Sequence, residues 1–125
     1  MKVLIISDTH GKSSCLKQIH DIVGDVDMLI HLGDVEGDEK LIHDLFDCEI
    51  HMVRGNCDYN PELPIYDEFN IGDKKAFITH GHRYSVNSGI SYLEELIDLE
   101  GYDFVMYGHT HRRDLTCYKD SYIVN

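Results

Sequence analysis

Five short apolar runs, each stopping at histidine, aspartate or asparagine, constrain this chain more than any other feature. The runs are KVLII (2–6), DMLIHL (27–32), EIHMV (49–53), KAFIT (75–79) and DFVMY (103–107). They are too short for core helices and rich in branched residues, as in strands buried on both faces. Helical patterns lie between them. Ser13 or Ser14 is placed to cap a helix carrying Leu16, Ile19 and Val23, and Asp38 to cap one carrying Leu41, Ile42, Leu45 and Phe46. A third is expected over 87–100, burying Ile90, Leu93, Leu96 and Ile97 and stopping at Gly101. After Pro61 and Pro64, the segment 66–79 reads as a hairpin turning at Gly72-Asp73, and 113–125 as another turning near Lys119-Asp120. The alternation predicts an α/β layered fold with parallel strands and an antiparallel portion, built as one domain over residues 1–125.

The residues just beyond each run are chemically uniform. The first run ends in Asp8-Thr9-His10, the second in Gly33-Asp34 and the third in Gly55-Asn56. The fourth ends in His80-Gly81-His82 and the fifth in Gly108-His109-Thr110-His111. Taken singly, Gly33-Asp34 and Gly55-Asn56 are turn dipeptides, and Asp8-Thr9 is a helix cap. Turns alone give no reason for such residues to close every strand. Carboxyl ends of parallel strands face the ligand crevice, so strands sharing one sheet would bring these clusters together. Asp8, His10, Asp34, Asn56, His80, His109 and His111 then supply two carboxylates, one amide oxygen and four imidazoles. That is too many for one tetrahedral zinc, and fits two divalent cations sharing a carboxylate. Such a pair is the clamp used for displacement at phosphorus. Mixed N/O ligation without thiolate favours manganese, with iron, zinc or nickel as alternatives. His20, His43 and His51 read as surface residues, and Glu94, Glu95, Asp98 and Glu100 as a solvated helix face. His31 reads as a core histidine with a hydrogen-bond partner.

Charge narrows the partners. A formal net charge of −12 disfavours polymeric nucleic acid and anionic membrane surfaces, both of which need clustered Lys and Arg. A small anion remains compatible where bound cations supply local positive charge. The scattered Cys15, Cys48, Cys57 and Cys117 form no disulfide framework, which points to a reducing cytoplasm. The apolar start is too short for a signal peptide.

The segments SDTHG (7–11), GD (33–34), GNCD (55–58), THGH (79–82) and GHTH (108–111) resemble, in order, the five motifs of the calcineurin-like metallophosphoesterases. The small bacterial and archaeal phosphodiesterase branch is the nearest match, and the resemblance runs from residue 3 to the end. It implies a four-layer αββα sandwich of two mixed β-sheets, with a dinuclear site at the strand ends. It implies that Asp8, His10 and His111 hold one metal, that Asn56, His80 and His109 hold the other, and that Asp34 bridges. The expected activity is hydrolysis of small phosphodiesters by a metal-bridging hydroxide. Asp34, Asn56, His82 and Cys57 are the catalytic candidates, with His82 contacting phosphate or supporting the ligands. The alternative is a non-catalytic scaffold that keeps the fold for protein binding, as in the retromer subunit.

Two departures from the family pattern stand out. Cys57 occupies the place where many members carry a leaving-group histidine, and beside two cations its thiol is expected to tend towards thiolate. The closing YIVN looks like the start of an Asn-Pro-Gly turn, so last strands are expected to be lacking and an edge left open to self-association as a homo-oligomer.

Overall fold

A computed structural model describes residues 1–125. The strands are β1 (Val3–Ile6), β2 (Met28–His31), β3 (Glu49–Met52), β4 (Tyr66–Ile71), β5 (Lys74–Thr79), β6 (Phe104–Met106), β7 (Leu115–Tyr118) and β8 (Ser121–Val124). The helices are α1 (Ser13–Val23), α2 (Glu39–Leu45) and α3 (Ser91–Glu100). None is long and apolar enough to cross a membrane. The strands form two sheets. One is the wholly parallel β1-β2-β3; the other has the order β4-β5-β6-β8-β7, parallel through β5, β6 and β8 and antiparallel at both flanks. Both expected hairpins are present, closing between Ile71 and Lys74 and between Tyr118 and Ser121.

Strand alternation explains why two sheets need four layers. Successive side chains point to opposite faces, so a buried strand needs a partner on each side. On β2, Leu29 faces the helix layer with Leu16, Ile42 and Phe46, while Met28 and Ile30 face the second sheet. On β5 and β6, Phe77 and Val105 pack with Leu93 and Ile97 of α3, while Ile78 and Met106 close the central layer against Val53 and Leu32. Three separate apolar clusters are therefore the three interfaces of an αββα sandwich. Burying each such side chain contributes roughly 1.5–3 kcal/mol. The sheets also join at their edges, where the His51 ring of β3 lies flat on Phe69 of β4 at 3.6 Å. His51 Nδ1 is 2.8 Å from Asp67 and Nε2 is 2.7 Å from Glu49, so this residue is an inter-sheet clasp rather than a plain surface histidine.

Three local expectations are corrected. Lys12, not Ser13 or Ser14, precedes α1; Ser13 donates its hydroxyl to Asp38 Oδ1 at 2.8 Å. Asp38 stands at the start of α2, but no side-chain hydrogen bond caps that helix. The third helix begins at Ser91 instead of residue 87, because Val86–Ser88 forms a separate 3-10 turn with Val86 in the core. Gly101 ends it as expected, its amide donating to Ile97 O at 2.9 Å.

Candidate metal centre

The five polar clusters meet, although their strands do not share one sheet. Asp8, His10, Asp34 and Asn56 leave the first sheet, and His80, His109 and His111 leave the second. They converge because β1, β2, β3, β5 and β6 all end on the same side of the sandwich. Direct bonds hold the two rims together there. His80 Nδ1 donates to Leu32 O at 2.7 Å, and the His109 amide donates to Asp8 Oδ2 at 3.0 Å.

Two donor groups are evident. Around Asp8 Oδ1, His111 Nε2 lies at 3.2 Å and His10 Nε2 at 3.8 Å, with the two imidazole nitrogens 3.3 Å apart. Around His80 Nε2, Asn56 Oδ1 lies at 2.9 Å, His109 Nδ1 at 3.2 Å and Asp34 Oδ2 at 3.3 Å. Asp34 Oδ2 is also 3.8 Å from His10 Nε2, so it stands between the groups. A cation ~2.1 Å from each donor sets neighbouring donors roughly 3.0–3.6 Å apart, and these separations fall in or near that span. His80 Nδ1 is committed as a donor to a carbonyl, so Nε2 presents a bare lone pair to other acceptors. Asp8 Oδ1 is buried and has no hydrogen-bond partner. Converging acceptors with nothing to donate repel one another unless positive charge lies between them. The donor set therefore fits divalent cations.

The backbone at these positions is unusual. Asp8, His10, Asp34, His109 and His111 all have φ between 50° and 70°, in the left-handed region that non-glycine residues avoid. Such conformations cost of order 1–3 kcal/mol each and persist only where surroundings enforce them. Two glycines make room. A Cβ at Gly55 would overlap Asp34 Oδ1, and one at Gly108 would overlap Ser7 Oγ and crowd Asp8 Oδ2. So the glycine beside Asn56 serves close approach more than turning.

Several supporting residues escaped the sequence reading. Asp58 is the foremost: its carboxylate accepts from the amides of Asp34 (2.8 Å), Gly55 (2.7 Å) and Glu36 (2.7 Å), clamping two ligand-bearing loops together. Its signal was present in GNCD, as the aspartate that favours a local side-chain turn. Glu36 Oε2 lies 2.5 Å from His10 Nδ1, so the ring's other nitrogen is left to face the site. Asn87 Nδ2 lies 3.1 Å from His109 Nε2 and holds that ring from its far edge. Ser7 donates its hydroxyl to Asp8 Oδ2. Burial alone would raise the Asp8 carboxyl, but the Ser7 hydroxyl, the His109 amide and the His80 and His111 rings hold it below its ordinary value.

His82 lies outside both donor groups, its ring centroid 5.5 Å from that of His80 and 6.1 Å from that of His109. Burial, then the neighbouring His80 and His109 rings, push its pKa down, and its buried Nδ1 has no partner. Cys57 has a different balance in the metal-free chain, where no cation draws off its proton. Burial, then the Asp34 and Glu36 carboxylates, push the thiol up, so it keeps its proton. Its amide donates to Asp34 Oδ1 at 2.9 Å, and its sulfur lies 3.5 Å from Asn56 Nδ2, which turns Oδ1 of that amide towards His80.

His31 is the core histidine expected. It is fully buried, with Nε2 2.9 Å from Thr9 Oγ1 and Nδ1 accepting from the Gly33 amide at 3.2 Å. Burial lowers its pKa to about 4. The unfolded chain takes up this proton near pH 6.5 and the folded chain only near pH 4, so stability present above pH 6.5 is lost as pH falls through that window. The loss amounts to about 3 kcal/mol for the full shift. Urea unfolding in chelator at pH 7 and pH 4.5 is expected to show His31→Gln losing less stability with acid than wild type. Parallel losses would mean that another group carries the acid sensitivity.

Sandwich, crevice and ligand-type residues together define a metallohydrolase class. The chain belongs to the calcineurin-like phosphoesterase superfamily, whose domain matches residues 1–125. It is 34% identical to a phosphodiesterase of Methanocaldococcus jannaschii, over all of this chain and 82% of that one. It is 32% identical to YsnB of Bacillus subtilis, named as a probable metallophosphoesterase, over 89% of this chain; the match spans 64% of that protein's length. Among solved structures, a Streptococcus pneumoniae TIGR4 protein described from its sequence as a phosphoesterase superposes with a TM-score of 0.84 at 28% identity, covering 99% of this chain and 70% of the other. Vps29 of Entamoeba histolytica in complex with zinc also reaches 0.84, at 24% identity, over all of this chain and 73% of that one, which speaks for the fold alone.

Proposed function

We propose that this protein is a metal-dependent phosphodiesterase acting on small phosphodiesters at a dinuclear centre. The observation that carries the reading is the meeting of two donor groups around Asp34 Oδ2, with the lone pair of His80 Nε2 aimed inward. Asp8, His10 and His111 would hold one cation, Asn56, His80 and His109 the other, and Asp34 would serve both. The mixed N/O set suits manganese, iron, zinc or nickel, and manganese is the cation we take for the test. When bound, the cations supply the positive charge that neutralises a phosphodiester and the acidity that makes water a nucleophile.

The chain's own groups do the rest. Glu36 and Asn87 fix the His10 and His109 rings, and Asp58 fixes the loops. His82 stands beside the second donor group, where it contacts phosphate or supports the ligands. The Cys57 thiol sits next to Asn56, where a leaving group departs, and is a weaker proton donor than an imidazole near neutral pH. Diesters with good leaving groups are therefore the favoured substrates. A scaffold role would not require seven donors to converge.

The decisive experiment combines metal analysis with hydrolysis of bis(p-nitrophenyl) phosphate, with and without Mn²⁺. Turnover is expected only with metal, and to fall together with metal affinity below about pH 6, as imidazoles of reference pKa ≈ 6.5 take up protons. Turnover without bound metal, or full activity with tightly held metal at pH 5, would overturn the reading.

A further inference from the structure

All four arginines of this chain lie at the site, in sequence and in part in space. Arg54 is two residues from Asn56, Arg83 follows His82, and Arg112 and Arg113 follow His111. The seven lysines are spread along the rest of the chain, and Lys40, Lys74 and Lys119 pair with Asp44, Asp103 and Asp98. No arginine has a carboxylate within ion-pair distance, although the chain carries 23 acidic residues. Arg83, Arg112 and Arg113 are exposed, and exposed guanidinium groups in an acidic chain have ample opportunity to pair. Arg112 and Arg113 stay unpaired beside the crevice where an anion is expected.

Arg112 and Arg113 go further, because they line two grooves at the metal centre. One, of about 400 Å³, also touches Asp8, Ser7 and His111. The other, of about 580 Å³, also touches Thr110 and Asn87, the residue that holds His109. Both volumes suit a ligand of nucleotide size. Asp114 borders the second groove without pairing with either arginine. The guanidinium fork matches phosphate oxygens in pairs, which an ammonium group does not. Long-range repulsion from the net charge is screened within about 8 Å at physiological salt, so charge at this rim decides what binds.

We propose that the substrate carries a second phosphate besides the scissile diester, and that Arg112 and Arg113 take it. This rests on the phosphodiesterase reading, and it names the substrate class for that site: small diesters with a further phosphate or pyrophosphate group. Neither arginine touches the reacting atoms; together they determine specificity.

The test measures adenosine 5′-monophosphate and adenosine 3′,5′-bisphosphate in two ways, with Mn²⁺ buffered in excess. One is competitive inhibition of bis(p-nitrophenyl) phosphate hydrolysis; the other is calorimetric titration, which needs no turnover. Wild type is expected to bind the bisphosphate at least about 10-fold more tightly, the worth of one or two charge-assisted hydrogen bonds. In the Arg112→Gln/Arg113→Gln double variant the preference shrinks to within about twofold. In Lys74→Gln/Lys75→Gln, which removes equal charge from β5, it persists. No preference in wild type, a preference that survives the arginine changes, or equal loss in the lysine control would each overturn the proposal. Turnover without the preference sinks this inference and leaves the phosphodiesterase; the preference without turnover does the reverse.

Discussion

Asp34→Ala is expected to empty both cation positions at once. The Asp34 carboxylate is almost fully buried, and its Oδ2 lies 3.3 Å from His80 Nε2 of one donor group and 3.8 Å from His10 Nε2 of the other. Partners one shell out are each worth roughly 10–100-fold in metal affinity, so losing a shared ligand should exceed that at both positions. Turnover should fall by about 10³-fold or more, as when a single transition-state donor is removed. Stability separates this outcome from simple unfolding. The change leaves the Cys57 amide without its acceptor, yet also relieves carboxylate repulsion against Asp8, so the metal-free midpoint should move little. What disappears is the rise in midpoint on adding Mn²⁺. Metal content after dialysis and melting curves with and without Mn²⁺ measure both quantities. Asn56→Ala, by contrast, should mainly weaken the second position. If Asp34→Ala kept one full cation per chain, the carboxylate is not shared.

The largest loss of stability is expected from Asp58→Ala. Three backbone amides converge on this half-buried carboxylate at 2.7–2.8 Å, and no other acceptor is at hand for them. Hydrogen bonds to a charged acceptor contribute roughly 1.5–3 kcal/mol each, and stranded amides add desolvation cost. Allowing for relaxation and water, the loss should be about 3–5 kcal/mol, enough to lower the midpoint by more than about 10 °C. Asp58→Asn should fall between, because an amide oxygen accepts while its NH₂ confronts further donors. Metal affinity should drop with stability, since the same bonds set the Asp34 and Gly55 loops relative to each other. Urea midpoints for the two variants, beside calorimetric Mn²⁺ titrations, would measure this. An alanine variant within about 0.5 kcal/mol of wild type would reduce the clamp to ornament.

Strand ends and ligand types were legible in the sequence because each apolar run stops where the chain leaves the core. Runs apolar on both faces demanded cover on both sides, while the αββα order itself came only from the family resemblance. The division into sheets was hidden for the same reason. A run such as KAFIT reads alike in either sheet, and neither flanking pattern names its neighbour. The third helix was placed too early because Val86 and Ile90 extend an apolar spacing through a 3-10 turn and into the helix. Ser13 looked like a cap, but its hydroxyl is taken by Asp38, 25 residues away. Asp58 and Glu36 were missed as supports because, apart from the Gly55 amide beside Asp58, their partners lie 22 to 26 residues away along the chain. The left-handed backbone at five ligand positions has only a weak sequence signal, since Asp and His visit it more than most side chains but their identity does not say where.

The division of the donors between two sheets has a consequence for folding order. The first sheet is complete within residues 3–52 and the second within 66–124, so each can form before the other is in place. Neither half owns a cation site. The rim bonds of His80 to Leu32 and of His109 to Asp8 close loops of 48 and 101 residues, late events in any sequence of assembly. On the proposed reading, cations would therefore act as a non-covalent cross-link that recognises docked halves and ignores separated ones, and the ion itself would report the moment at which the chain becomes one body.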